Sequence, residues 1–425
     1  NSFSVMRFIS SVLSLFSACC LLPAAWGGGD IAPDLKSGAF WSLPQPDLFG
    51  KYFNGESGGW VDKGKTQLRI AKPAIKLGKM SLGEMLVHWK EGVPQSMTIM
   101  MYNKGDNGAI DKEEFEKRLD RIREALTELT GVQPREYRAS RREAVVKVNG
   151  WSWSWDKGAI ALEINTSKDG REFEAEFIRL KAGPTEASIA RGDTSSRARK
   201  ADVKQHVRKE GKRVVIQDIP MVDQGQKGYC VVATAARIFA YYGMDYVDQH
   251  ELASLANSSA EGGTSTKEMA ENLKKIGARF QIRIKVLDSL TDARDFRNLA
   301  ASKLKKEKFE DEYDWPGFWD NADGEVLKLA RAGSPSQMDK WLNSIKPYIS
   351  AGIPVLWSVQ LGVVPEPMRI SQTRGGHLRL IIGFDEEKKT LIFSDSWGAD
   401  HTEKEMPLAD AIAITTGRQV MQPSK

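Results

Sequence analysis

The sequence predicts an α+β fold in its second half, preceded by a smaller α/β domain. Three observations carry this reading. Helical signals between residues 230 and 350 precede strand signals between 354 and 394, the order of an α+β domain rather than of alternating β-α units. The strands at 378–384 and 391–394 flank the polar turn Asp385-Glu386-Glu387-Lys388-Lys389, which folds them into a hairpin. An earlier strand-helix-strand run lies between residues 96 and 148. With 425 residues, 41% of them hydrophobic, the chain has material for about two or three cores.

Residues 1–27 read as a secretory signal peptide. Met6-Arg7 is a short basic start, residues 8–22 are apolar with interspersed serines, and Pro23-Ala24-Ala25-Trp26-Gly27 supplies small residues for cleavage. A secreted or periplasmic protein is expected. Membrane contact would come only through an uncleaved leader, or through a lipid on Cys19 in the weak attachment box Leu15-Phe16-Ser17-Ala18-Cys19. Cys19 and Cys20 belong to the leader, so Cys230 is the one thiol of the body and no internal disulfide is expected. Residues 28–90 are rich in Gly and Pro and read as irregular, with short strand-like pieces such as 66–70.

Residues 91–182 read as a small domain of mixed helix and strand. Residues 96–102 form a strand. Asp111-Lys112-Glu113-Glu114 is a capping box. Phe115, Leu119, Ile122, Leu126 and Leu129 share one helical face, and Gly131 stops the helix. Residues 144–148 read as a strand, and 159–164 with 172–178 as a hairpin about Asp169-Gly170. Phe173, Ala175 and Phe177 alternate with Glu172, Glu174 and Glu176, which predicts one buried face and one wet face. Trp151, Trp153 and Trp155 share a strand face better suited to core or interdomain packing than to ligand stacking. Residues 103–114 have the outline of a calcium loop. Asn103 and Gly105 stand at its early ligand positions, and a strand precedes it where a helix is needed, so a turn feeding a capped helix is the better reading.

Residues 183–213 read as a basic linker. Between Arg191 and Arg213 nine Lys or Arg face three acids, while the whole chain carries a net charge of only +5. No aromatic platform accompanies the basic run, so no nucleic-acid partner is expected. The last domain spans residues 214–425. It opens with an apolar helix from Cys230 to Tyr242, ended by Gly243. Asp248-Gln249-His250-Glu251 and Ser265-Thr266-Lys267-Glu268 each cap a further helix, as does Ser334-Pro335-Ser336-Gln337. An aromatic turn, residues 313–319, interrupts the helical stretch and is read as docking on the core. Strands follow at 354–360, 378–384 and 391–394.

The chemistry concentrates in this domain. Cys230 ends the string Q-G-Q-K-G-Y-C and opens a helix, where unsatisfied N–H groups and the helix dipole lower a thiol pKa. Gln224, six residues earlier, can donate an amide N–H to an oxyanion. His377 follows Gly375-Gly376 at the start of a strand, and Asp395 ends the next one. The hairpin between them brings the two nearly opposite, at Cβ separations of roughly 5 Å, within reach of a carboxylate–imidazole hydrogen bond. Cys230 would then be the nucleophile, His377 the base, Asp395 the group that orients the imidazole, and Gln224 with the Cys230 N–H the oxyanion donors. His88, His206, His250 and His401 have no cysteine or second histidine at ligand spacing, so neither a metal nor another cofactor is expected.

These motifs resemble those of papain-fold cysteine peptidases. Q-G-Q-K-G-Y-C is similar to the papain-type Q-G-x-x-G-x-C, and D-S-W-G, Asp395 to Gly398, to N-S-W-G. The likeness is greater to the double-glycine (bacteriocin-leader) peptidase-like branch, where Asp commonly takes the third position. G-G-H-L-R-L-I-I-G-F-D resembles that branch's histidine strand. The resemblance covers about residues 214–415 and implies a papain-like domain, a helical half plus an antiparallel sheet, with Cys230, His377, Asp395 and Gln224 in the roles above. Val231 replaces the usual Trp, and the family's structural disulfide cysteines are absent. The expected function is a secreted thiol hydrolase that cleaves peptide or isopeptide bonds of a peptide or protein substrate. A transglutaminase-like acyltransferase and a non-catalytic peptide-binding module on the same fold are the alternatives. Substrate sequence and oligomeric state are not legible.

Overall fold

The computed structural model describes residues 29–424 apart from 53–57, 72–74, 140–143, 170–171, 191–199, 226–227, 246, 257, 259–265, 291–297, 299–314 and 371. The leader, Cys19 and Cys20, much of the basic run, Ser265 and the first part of the aromatic turn lie outside the described residues.

Two large hydrophobic cores organise the chain. The first belongs to an eight-stranded sheet, antiparallel throughout. Its order is Gly58–Trp60, Gln67–Ile70, Met85–Lys90, Val93–Asn103, Glu172–Gly183, Gly158–Asp169, Asn149–Trp155, Arg135–Arg138. The helix Lys112–Thr130 packs on one face of it through Phe115, Leu119, Ile122 and Leu126. Asp111 caps it, accepting from the Glu114 N–H at 2.8 Å, and Gly131 closes it at φ +71°. The helix thus lies on a meander instead of linking parallel strands. Residues 28–90, read as irregular, contribute three strands of this sheet. Those strands are 3, 4 and 6 residues long and gain stability only from neighbours in the ladder. Residues 144–148 are not a strand. The Val145 N–H donates to Glu251 Oε2 at 3.0 Å rather than to a ladder partner. Of the three tryptophans, Trp153 is fully buried with Nε1 on Thr127, Trp151 lies under Arg123, and Trp155 bonds the Lys36 carbonyl. They are packing residues.

The strand Glu172–Gly183 departs most from expectation. A bulge between Ala175 and Phe177 switches the faces, so Ala175, Ile178 and Leu180 join the first core while Phe177 joins a small cluster on the other side. The face read as wet is covered by the second unit. Arg179 lies there, 1% exposed, with Glu163 of its own sheet at 2.6 Å and Glu251 of the second unit at 2.7 Å; Asp248 of the second unit completes the cluster.

The second unit is the expected α+β arrangement, a helical half packed on an antiparallel sheet. The sheet runs Val207–Glu210, Arg213–Ile216, Gly375–Asp385, Val355–Leu361, Thr415–Pro423, Ile282–Ser289. Thr390–Ser394 pairs the opposite edge of Gly375–Asp385. The end of the basic linker therefore forms a hairpin in this sheet, with Arg213 paired to Glu403 at 2.9 Å and to Glu405. Phe318 and Trp319, from the aromatic turn, are buried in the second core, as the docking reading expects.

Removing the Arg179 charge strands two buried carboxylates, Glu163 and Glu251, with Asp248 beside them. Arg179→Met should cost about 3–5 kcal/mol of stability in urea unfolding. A loss under ~1 kcal/mol would show that this contact does not hold the two units together.

Candidate active site

The helix Cys230–Tyr241 is mostly apolar, with Thr234 and Arg237 as its polar side chains, and nearly all of it is buried, as in a core helix. Its N-cap, Tyr229, makes no side-chain cap, so the first helical N–H groups, Cys230's among them, receive no acceptor from that side chain. Thr234 Oγ1 donates to the Leu378 carbonyl at 3.3 Å, tying the helix to the strand that carries His377. On that strand His377 and Arg379 alternate with Leu378 and Leu380, so the two polar side chains share a face.

The structure brings Cys230, His377 and Asp395 together in a buried cluster and ties Gln224 to it through Ser396. His377 Nε2 lies 2.8 Å from Asp395 Oδ1, and both side chains are 0% exposed. His377 Nδ1 is buried without a hydrogen-bond partner among the described residues, and the imidazole and the Cys230 thiol lie close enough to shift each other's titration. Burial pushes the Cys230 thiol up. The imidazole beside it and the Leu378 and Val231 N–H groups outweigh burial, and the net shift is downward. Burial pulls His377 down, but the Asp395 carboxylate and the Cys230 sulfur raise it overall. The two shifts together favour a thiolate–imidazolium pair.

Asp395 is the centre of the charge arrangement. Burial alone would raise it. Arg379, His377 and Lys404 hold it far below the usual carboxylate range. Arg379 Nε donates to Oδ1 at 2.9 Å, and the Lys404 ammonium contacts Oδ2. Arg379 also reaches Glu366 at 2.8 Å. From the cysteine helix, Arg237 donates to the Asp395 carbonyl at 2.8 Å, to Ser394 Oγ at 2.6 Å and to the Pro220 carbonyl at 2.9 Å. The hairpin register explains part of this. Leu380 pairs with Ser394, which puts Arg379 opposite Asp395, and His377 reaches over from two residues along the strand.

Gln224 is 3% exposed and bound twice to the D-S-W-G tetrapeptide. Its N–H donates to the Ser396 carbonyl at 2.8 Å, and Ser396 Oγ donates to its Oε1 at 2.6 Å. The second bond assigns the amide oxygen and turns the NH2 group away from Ser396. Trp397 stacks on the His377 ring, 4.3 Å between centroids at 6°. The sequence motif carries Ser396 and Trp397 without marking a role for either, and no motif marks Arg237, Arg379 or Lys404. The register signal for Arg379 was available in the hairpin itself.

A free thiol near a carboxylate-bonded imidazole, at the junction of a core helix and an antiparallel sheet, is the kind of arrangement found in thiol peptidases. Residues 216–416, nearly the whole second unit, match the model of the Peptidase_C39 like family. A solved structure, that of xylellain, a cysteine protease from Xylella fastidiosa, is similar over 55% of this chain and 94% of its own, at 14% identity and a TM-score of 0.27. Among curated proteins none matches. Among the described residues no helix is long and apolar enough to cross a membrane.

Because the Asp395 pKa is depressed on folding, its stabilising contribution is complete above about pH 4, the unfolded value, and is lost as pH falls towards the folded one. Asp395→Asn removes that anion from between Arg379 and Lys404. It should destabilise the protein by about 3–5 kcal/mol in urea at pH 7 and lower the His377 pKa. An NMR titration of His377 that is unmoved in this variant would contradict the assignment of Asp395 as its charge partner.

Proposed function

We propose that the second unit hydrolyses peptide or isopeptide bonds through an acyl-enzyme, with Cys230 as nucleophile, His377 as acid–base and Asp395 as the orienting carboxylate. The observation that carries this reading is the position of His377: one ring nitrogen is held by Asp395 at 2.8 Å, and the buried ring lies close enough to Cys230 for each group to shift the other's titration. The Cys230 thiolate attacks the carbonyl carbon and forms a C–S bond. The resulting oxyanion is met by the Cys230 N–H and the Gln224 amide. The imidazolium gives its proton to the departing amine as the C–N bond breaks. Water then loses a proton to His377, attacks the thioester, and releases the acid with a regenerated thiol.

The ion-pair arrangement supports this reading over a binding module, since a module that only docks a peptide has no use for a lowered thiol pKa beside a raised imidazole pKa. The leader reading of residues 1–27 adds a secreted or periplasmic setting to the proposal.

Activity should follow a bell in pH. It rises as the thiol ionises below its ordinary value and falls as His377 loses its proton above its own. Cys230→Ala should abolish cleavage of a peptide library. His377→Ala removes the cation that favours the thiolate, so the midpoint for alkylation of Cys230 by a small electrophile should move up, with the rate at pH 6 falling about tenfold or more. Equal labelling rates in the wild type and His377→Ala would sink the catalytic reading. Transfer of the acyl group to an added amine in preference to water would reassign the enzyme as an acyltransferase.

A further inference from the structure

The segment that delivers Cys230 is held from outside its own unit. Tyr229, immediately before it, is 2% exposed, and its hydroxyl donates to Asn103 Oδ1 at 3.0 Å. Asn103 closes the strand Val93–Asn103 of the first sheet and is itself pinned. Its Oδ1 also accepts from the Asp106 N–H at 2.9 Å, and its Nδ2 donates to Asp106 Oδ2 at 2.6 Å. The tyrosine ring rests on Gly105, where an added Cβ would lie 2.1 Å from the phenolic oxygen and 2.6 Å from the ring. Farther up the same segment, Gly225 has φ +69°, and an added Cβ there would lie 2.2 Å from the Arg69 guanidinium. Arg69 belongs to the strand Gln67–Ile70 and is fixed by Glu84 at 2.6 Å. Both glycines mark places where the first unit closes on the cysteine loop.

We propose that the first unit is a permanent brace for this loop, and that Tyr229, seated on Asn103 and Gly105, is a positioning residue for Cys230. The proposal rests on the peptidase reading for the meaning of that position. Helix starts are commonly fixed by a side-chain cap from Ser, Thr, Asp or Asn. Tyr229 makes no such cap, and its side chain instead runs across the unit boundary to a buried partner. The entry of the chain into the cysteine helix is therefore set by residues more than a hundred positions earlier. A misplacement of about 1 Å at a reacting atom can cost roughly a hundredfold in rate, so a seat of this kind matters to the chemistry. On the other side of the loop Tyr229 meets the His250 ring edge-on at 5.7 Å, next to the Asp248 and Glu251 carboxylates that hold Arg179. The brace and the buried ion cluster thus form one continuous interface, and the first unit belongs to the working enzyme.

Gly105→Ala tests this from the far side of the boundary. Gly105 lies in the helical turn Lys104–Asn107 and has no positive φ, so its backbone accepts alanine, and Tyr229 supplies all three of the closest atoms to the new methyl group. We expect the pH midpoint for Cys230 alkylation to rise, the rate at pH 6 to fall about tenfold, and kcat for peptide cleavage to fall with KM unchanged. Tyr229→Phe, which keeps the ring and deletes only the bond to Asn103, should shift the midpoint the same way by less. Gly50→Ala, in the same unit with no atom within 4 Å of the added Cβ, should leave both readouts at wild-type values. A Gly105→Ala protein that is folded by circular dichroism and titrates like wild type overturns the brace. If that variant does not fold, an unshifted Tyr229→Phe overturns it equally. Alkylation needs no substrate, so the two ideas separate. A shifted midpoint in a protein that cleaves no peptide removes the peptidase reading and keeps the brace, and an unshifted midpoint in an active peptidase does the reverse.

Discussion

The second unit is arranged around one fully buried carboxylate. An ionised Asp395 could not remain in a water-free interior without compensation, and three cationic or potentially cationic groups supply it: Arg379, Lys404 and His377. The consequences spread outward. Arg379, itself buried, needs a further acceptor and finds Glu366. The Asp395 carbonyl fixes Arg237, which fixes the cysteine helix. The position of the thiol relative to the imidazole thus follows from where a single carboxylate can be neutralised. An amide at this position would orient a histidine with far less electrostatic demand. The aspartate found here carries a retinue of cations with it, and it raises the imidazole more strongly in return.

The interface between the two units solves a similar problem with similar parts. Arg179 meets Glu163, Glu251 and Asp248, and hydrogen bonds from Tyr137 to Glu163, from Val145 to Glu251 and from the His250 and Glu251 N–H groups to Asp248 satisfy the remaining carboxylate oxygens. Guanidinium groups serve in both places because a planar fork can bind several acceptors in fixed directions. Buried ion pairs contribute little net stability compared with an apolar contact of the same volume. They do fix geometry, since each partner is tolerated only in one orientation. That suits an interface whose task is to hold a loop still.

How much of this was legible differs by residue. Cys230, Gln224, His377 and Asp395 announce themselves through local grammar: a helix start, a strand opening after two glycines, and a polar turn that sets a hairpin. Arg379 was legible in principle from the same hairpin, but an arginine on a strand ordinarily reads as a solvated side chain. Arg237 and Lys404 were not legible. Their roles depend on which distant segments pack together, and nothing nearby in the chain marks that. The first unit hides for a different reason. Its opening strands are too short for a period-two pattern to stand out, and the bulge between Ala175 and Phe177 breaks the alternation exactly where the second unit covers the sheet, so a buried Arg179 looks like one more surface charge.

The tetrapeptide Asp395 to Gly398 shows why motif spacing carries so much information. Three of its four residues make separate contacts, and the fourth turns the chain. Asp395 binds the imidazole, Ser396 orients the Gln224 amide, Trp397 covers the imidazole face, and Gly398 turns the chain at φ +91°. A side chain at position 398 would be strained by that φ, and its Cβ would lie 3.5 Å from Asp223 and 3.7 Å from the Trp60 carbonyl of the first unit. His377 and Gln224 are therefore not independently adjustable. Both hang from one short stretch of backbone, and a change in its path that improved one would displace the other. The segment preceding Cys230 is coupled in the same way, through Gln224 on one side and Tyr229 on the other. Cooperative placement of this kind follows when two loops and one strand end meet in a buried space, and it restricts sequence variation at positions that carry no chemistry of their own.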